Sequence, residues 1–192
     1  MEKLMNMVEF ISGSPQFRIV ENLFEEAPLY TFYSQTDLSD DLVGLVMNDA
    51  DNKQIRTFDK VNTLSEGDVV FSLISGTASL VRDTHIGYLY TQNYVKLVPK
   101  ENIDPKYLVY LLNCEKKIKK QFMVGLQGSQ VLKYTLKQVK ELEIPALPSM
   151  ERQKIIGDIY IKRLRSEALC IRAAESQTTI ILKQLEEASS NE

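Results

Sequence analysis

The strongest constraint on how this chain folds lies toward its C-terminus. Ile144-Pro145-Ala146-Leu147-Pro148 must run extended, because each proline disfavours helix at the residue before it. Ser149 can cap a helix starting at the next residue, and from there to about Glu187 no proline and a single glycine, Gly157, interrupt the pattern. One helix over that stretch, about 38 residues, would reach about 57 Å. Ile161, Leu164, Ala168 and Ile171 recur at alternating spacings of three and four, and the same register reaches Leu182 and Leu185, with Glu175 and Thr178 as polar interruptions. That is the stripe of a coiled coil, in which a polar seam position fixes register at a cost in stability. A long helix beyond a small domain cannot bury such a stripe alone. It predicts a partner helix, from a second copy or another protein, with folding back on its own domain as the alternative.

The prolines divide the chain into a domain over residues 1–145 and a hinge with its helical arm over 146–192. The whole chain, with 44% hydrophobic and 26% charged residues among 192, has the composition of a globular protein. A chain of this size buries enough surface to need no disulfide or metal staple. Cys114 and Cys170 fit that view, since they form no Cys-x-x-Cys pair and read as reduced thiols of a cytoplasmic protein. Neither a cleavable leader nor an apolar run of membrane-spanning length stands out, so no membrane role is expected.

The net charge of −3 conceals segregation. Residues 1–95 hold 6 basic and 14 acidic groups, residues 96–140 hold 10 and 3, and residues 141–192 hold 7 and 9. A compact basic segment behind an acidic half can serve phosphate contacts, although a lysine-rich helix is often only a solvated face.

Within residues 16–98 the pattern is of short strands punctuated by turn residues: Gln16 to Val20, Leu42 to Val46, Asp68 to Ile74, and Tyr94 to Val98. A small, mixed and partly closed sheet is the expectation. Helix signals begin at Asp104-Pro105, an N-cap followed by proline at the first helical position. Tyr107, Leu108, Leu111, Leu112, Ile118 and Phe122 come next at helical spacing, with Lys116, Lys117, Lys119 and Lys120 near the end. Thr135 and Gln138 form a capping box for a short helix. The fold class is therefore α+β, a small β-sheet domain with flanking helices and one long coiled-coil helix.

Catalytic chemistry is hard to assemble. His85 is the only histidine, and with two cysteines the chain lacks the ligands of a zinc site. Asp83 and His85 lie beside serines but without a nucleophile motif. No phosphate-cradling glycine motif occurs. Asp104 with Glu115 and Lys117 formally resembles a metal-dependent nuclease set, but Asp104 is better used as a helix cap.

Several segments, in order, resemble the specificity subunit of type I restriction-modification systems. They are Glu66-Gly67-Asp68-Val69-Val70-Phe71-Ser72 with Ser75-Gly76-Thr77; Tyr94 to Val98 with Ile103-Asp104-Pro105-Lys106-Tyr107-Leu108; Gly128-Ser129-Gln130 with Thr135-Leu136-Lys137; and the proline hinge with Glu151-Arg152-Gln153-Lys154-Ile155. The chain departs from the family in having one recognition domain and one arm instead of two, Val131 where glutamine is common, and no tryptophan.

The resemblance implies a non-catalytic reader of double-stranded DNA that holds methyltransferase subunits and, through them, a restriction subunit. S-adenosylmethionine is then expected on the methyltransferase and no cofactor on this chain. Arg82, Tyr88, Gln92, Asn93, Ser129, Gln130 and Lys133 are the candidates to reach base edges, while Lys116, Lys117, Lys119 and Lys120 are candidates for phosphates. A single head and arm predict a homodimer through Ile161, Leu164, Ala168, Ile171, Leu182 and Leu185, reading a bipartite target. The competing reading is a coiled-coil decoy that occupies a methyltransferase complex without reading DNA.

Overall fold

The structure, a computed structural model, describes residues 1–47, 51–126 and 133–190. Three small antiparallel sheets and six helices make up these segments. Strand β1 (Glu2–Lys3) leads through a single helical turn, α1 (Leu4–Met7), into β2 (Val8–Ser12). Strand β3 (Leu29–Thr31), helix α2 (Gln35–Val43) and strand β4 (Gln54–Arg56) come next, then β5 (Val69–Ser72), β6 (Ala78–Leu80) and β7 (Tyr94–Pro99). The rest is helical except for β8 (Glu143–Ile144): α3 (Pro105–Cys114), α4 (Lys116–Leu126), α5 (Leu136–Lys140) and α6 (Met150–Ser190).

The central sheet has the order β2-β7-β5-β6, with β1–β8 and β3–β4 as separate two-stranded ribbons. Val69, Phe71, Val95 and Leu97 bury their side chains on the face that α3 and α4 cover, where Leu108, Leu111, Leu112 and Ile118 complete the core. Phe71 stacks on Phe122 at 5.6 Å, and Tyr134 meets Phe122 edge-on at 4.9 Å. The opposite face of β5, at Val70, packs with Tyr33, Leu38, Tyr90 and Tyr94.

Two segments expected as strands fold differently. Gln16–Arg18 is a 3₁₀ turn leading into irregular chain. Leu42 and Val43 end helix α2, and Gly44 at φ 70° closes it. Ser34 and Asp37 start that helix with a reciprocal capping box, so local capping outweighs the β-branched composition. The stretch expected as one helix from Pro105 is also two. Glu115 takes an extended ψ of 118°, and its carboxylate accepts the Lys117 N–H at 3.3 Å.

Helix α6 has 41 residues, as the proline hinge and uninterrupted pattern predict. Its first half belongs to the head. Gly157 lies against the start of α3, where an added Cβ would stand 2.7 Å from the Tyr107 backbone nitrogen and from the Lys106 Cβ. Buried Gln153 accepts the Asp104 N–H at 2.9 Å and donates to the Asn102 and Pro148 carbonyls at 3.1 and 3.0 Å. Ile161 and Leu164 pack on the head's core and Ala168 is buried. The stripe is therefore not uniformly free for a partner. Its first three members already face their own domain, and of its apolar residues Ile171, Leu182 and Leu185 stand exposed. The head's apolar face reaches along the helix only so far, and the spacing of residues on the arm does not reveal where it stops. Ile155, Ile159, Leu169 and Ile180 are exposed too. At 100° per residue they form a second line on the far side of the helix, one that the heptad register does not include.

Candidate nucleic-acid interface

One end of the central sheet gathers residues from three distant parts of the sequence. The chain leaving β5 bends at Ile74-Ser75-Gly76, where the Ser72 hydroxyl accepts the N–H groups of Ile74 and Ser75 at 3.1 Å each. Gly76 has φ 66°, and the Tyr134 ring lies so close that a Cβ there would sit 2.3 Å from it. Glycine takes that bend without the left-handed penalty and without displacing the Tyr134 ring. The Leu73 N–H donates to the Asn93 carbonyl, and the Tyr134 N–H donates to the Leu73 carbonyl, both at 2.8 Å. These bonds tie the turn before β7 and the approach to α5 to the end of β5.

On that frame the Lys133 ammonium donates to the Asn93 side-chain oxygen at 2.7 Å. Gln92, Lys133, Ile74 and Ser75 are exposed around it. Beneath, the Gln35 amide donates to the Tyr94 hydroxyl at 2.7 Å and to Ser72 at 3.0 Å, which stiffens the platform. Gln92, Asn93 and Lys133 are thus brought together, with an amide, a cation and an apolar tip pointing to water. Such groups can meet base edges and phosphates. Ser129 and Gln130 lie outside the described residues. Ile74 and Ser75 were not among the sequence candidates; the signal for them was the Gly76 bend itself.

The other candidates sit elsewhere. Lys116, Lys117 and Lys120 are exposed along α4, whereas Lys119 is half-buried and burial lowers its pKa. Gln121 of the same helix exchanges bonds with the backbone of Glu143, donating to its carbonyl at 3.0 Å and accepting its N–H at 2.8 Å. That holds α4 beside the β1–β8 ribbon. Arg82 lies across Gly44, its guanidinium 2.6 Å from where a Cβ would be, and lines a cavity of about 510 Å³ with Lys106 and Arg165. Tyr88 packs edge-on against His85 at 5.0 Å.

His85 joins a buried cluster that the sequence did not reveal. Its Nδ1 lies 2.8 Å from Asp41 and its Nε2 3.4 Å from Asp37, two carboxylates one turn apart on α2. The Tyr33 hydroxyl donates to Asp41 at 2.7 Å, and the Asn52 amide donates to Asp37 at 2.8 Å. Burial opposes a charge on His85, but the hydrogen bond to Asp41 and the charges of Asp41, Asp37 and Asp40 outweigh it and raise its pKa. Asp40 is itself pushed up, chiefly by burial. With every member bonded to neighbours, the cluster locks α2 to the turn at Asp83–His85.

Among the described residues no group of three or more histidine, cysteine, aspartate or glutamate side chains is arranged to hold a metal. Asp104 and Glu115 cap opposite ends of α3, about 16 Å apart by helical rise. The nuclease set is not assembled. No helix among the described residues is long and apolar enough to cross a membrane.

The model of one protein family, the type I restriction modification DNA specificity domain, matches residues 8–166. Among solved structures, the HsdS subunit from Thermoanaerobacter tengcongensis superposes with a TM-score of 0.61 at 20% identity, over 97% of this chain and 42% of that one. A chain from a structure describing complex assembly and conformational transition of the type I R-M system gives 0.60 at 20% identity, over 97% and 43%. The S subunit from M. genitalium gives 0.50 at 18%, over 82% and 37%. At these identities the likeness establishes the fold, and the chain spans less than half the length of each. No curated protein matches significantly.

Proposed function

The chain belongs to the type I restriction modification DNA specificity family, and from that premise we propose that it acts as a specificity subunit, its one recognition domain directing a methyltransferase to DNA. The observation that carries the reading is the convergence of Gln92, Asn93 and Lys133 on one ordered edge of a head fixed to a 41-residue arm. The edge reads double-stranded DNA, and the chain itself performs no catalysis. S-adenosylmethionine chemistry resides on the methyltransferase, and a restriction subunit joins through that complex. In this reading two copies act together. They pair through their arms about a two-fold axis, which places two heads on inverted half-sites separated by an unread spacer.

Two experiments test this. Changing Asn93 to alanine and Lys133 to glutamate together should lower methylation of the target by the reconstituted complex at least about fivefold, since one good base contact discriminates by about 1–3 kcal/mol. Unchanged methylation at the same positions would refute the site and leave the decoy reading. Changing Ile171, Leu182 and Leu185 to glutamate should convert a dimer to a monomer in light scattering while the melting temperature of the head stays the same, because these side chains face water in the single chain. Wild-type protein that remains monomeric at all concentrations, with or without methyltransferase, would exclude the paired arrangement.

A further inference from the structure

The segment between β2 and β3 has enough apolar residues to form a core and places few of them in one. Ile19 packs inward with Tyr30 and Val61 against the small cluster of Phe32, Ile55 and Leu89. Phe17, Val20, Leu23 and Phe24 turn outward, joined by Phe58, and each of these five is more than 60% exposed, with Leu23 at 93%.

This is not a loose loop. The Val20 N–H donates to the Asp59 carboxylate at 2.8 Å, and the Asn22 N–H donates to the Arg56 carbonyl at 2.8 Å. The Arg56 guanidinium returns bonds to the carbonyls of Glu25 and Ala27 at 3.0 Å each. The Asn22 side chain accepts the Phe24 N–H at 2.9 Å, and the Thr57 N–H donates to the Pro28 carbonyl at 3.1 Å. The backbone is fixed so that the large side chains face water. Five large apolar side chains held exposed on so short an ordered stretch mark a contact site.

The charges around it choose the occupant. Glu21, Glu25 and Glu26 flank Leu23 and Phe24, and Asp59 sits by Val20, against Arg18, which lies over the Phe17 ring, and Lys60. Carboxylates repel DNA phosphates and anionic lipid alike. A symmetric contact with a second copy would bring together two faces that each carry these four carboxylates against two cations.

We propose that this platform, over residues 16–29 and 57–59, docks a partner protein that presents an apolar cleft rimmed by lysine or arginine. The proposal rests on the proposed function, in which the methyltransferase subunit is the protein partner. The docking face then lies on the head itself, in addition to any contact made by the arm.

The test uses the full chain and the methyltransferase subunit of the same system. Leu23→Ser with Phe24→Ser should weaken their association by about tenfold or more, as loss of central apolar anchors does. Glu21→Lys, Glu25→Lys and Glu26→Lys together should weaken it at low salt, with the deficit shrinking as salt rises. Self-association and melting temperature should stay at wild-type values, because these side chains lie on the surface. Binding within twofold of wild type for both variants would overturn the docking face alone. Loss of self-association instead would assign the patch to a second copy, and loss of DNA binding without methyltransferase would assign it to DNA; either overturns the proposal. Wild-type protein that fails to bind the methyltransferase would overturn the proposal and the partner reading together.

Discussion

Replacing His85 with leucine should destabilise the head by about 3 kcal/mol, the lower end of what breaking a buried ionic cluster costs. The loss falls at that end because the carboxylates left behind keep partners. Asp41 still accepts from the Tyr33 hydroxyl at 2.7 Å and the Arg82 N–H at 3.1 Å, and Asp37 from the Asn52 amide at 2.8 Å. The substitution also removes a pH dependence whose sign is fixed. His85 has its pKa raised above 6.5 in the fold. Its charge therefore stabilises fully below the unfolded value, about 6.5, and that contribution disappears as pH rises through the higher folded value. The groups that face it are Asp37, Asp40 and Asp41 on α2, Tyr33 just before that helix, and Tyr88 just after the histidine's own turn; burial pushes both tyrosine hydroxyls up. Asp40, raised from 3.8 mainly by burial, acts in the same sense from a lower pH. Urea midpoints measured from pH 6 upward should fall more steeply for wild type than for His85→Leu. Parallel profiles would show that the histidine does not titrate in the folded cluster.

Gly157→Val should separate the arm from the head. The new Cβ would meet the Tyr107 nitrogen at 2.7 Å and the Lys106 carbonyl carbon at 2.8 Å, backbone atoms that cannot rotate away. Overpacking of this kind costs about 1–3 kcal/mol, and here the shift also strains the three hydrogen bonds of Gln153. Glycine is a poor helix residue by about 1 kcal/mol relative to alanine, so its use here reflects the close approach and not helix preference. The expected result is a lower melting temperature and faster proteolysis near the hinge. A melting temperature equal to wild type would mean that α6 can slide on α3 without loss.

The features legible in the sequence were local ones. The proline hinge, the Asp104-Pro105 helix start, the Thr135–Gln138 box and the strand at Val69–Ser72 are each decided by residues within a few positions of one another. The capping box at Ser34 and the Gly44 stop were equally local, but the β-branched run beside them masked the short helix they bound. Long-range arrangements were not legible. Asn93 and Lys133 meet from 40 residues apart, and His85 reaches Asp41 from 44. Heptad spacing found an apolar line on the arm, yet could not tell that its first half was already used by the head. Nor did it flag Ile155, Ile159, Leu169 and Ile180 on the opposite side.

Because Gln153 and Gly157 fix the near end of α6 to the head, the arm carries a phase as well as a length. Each residue added between Ala168 and Ile171 would advance the far end by about 1.5 Å and turn it by about 100°. One or two added residues would swing Ile171, Leu182 and Leu185 away from the line they share with the head, while three or four would bring them nearly back. The arm is thus a threaded part: its length can change only in steps that return its thread to the same orientation.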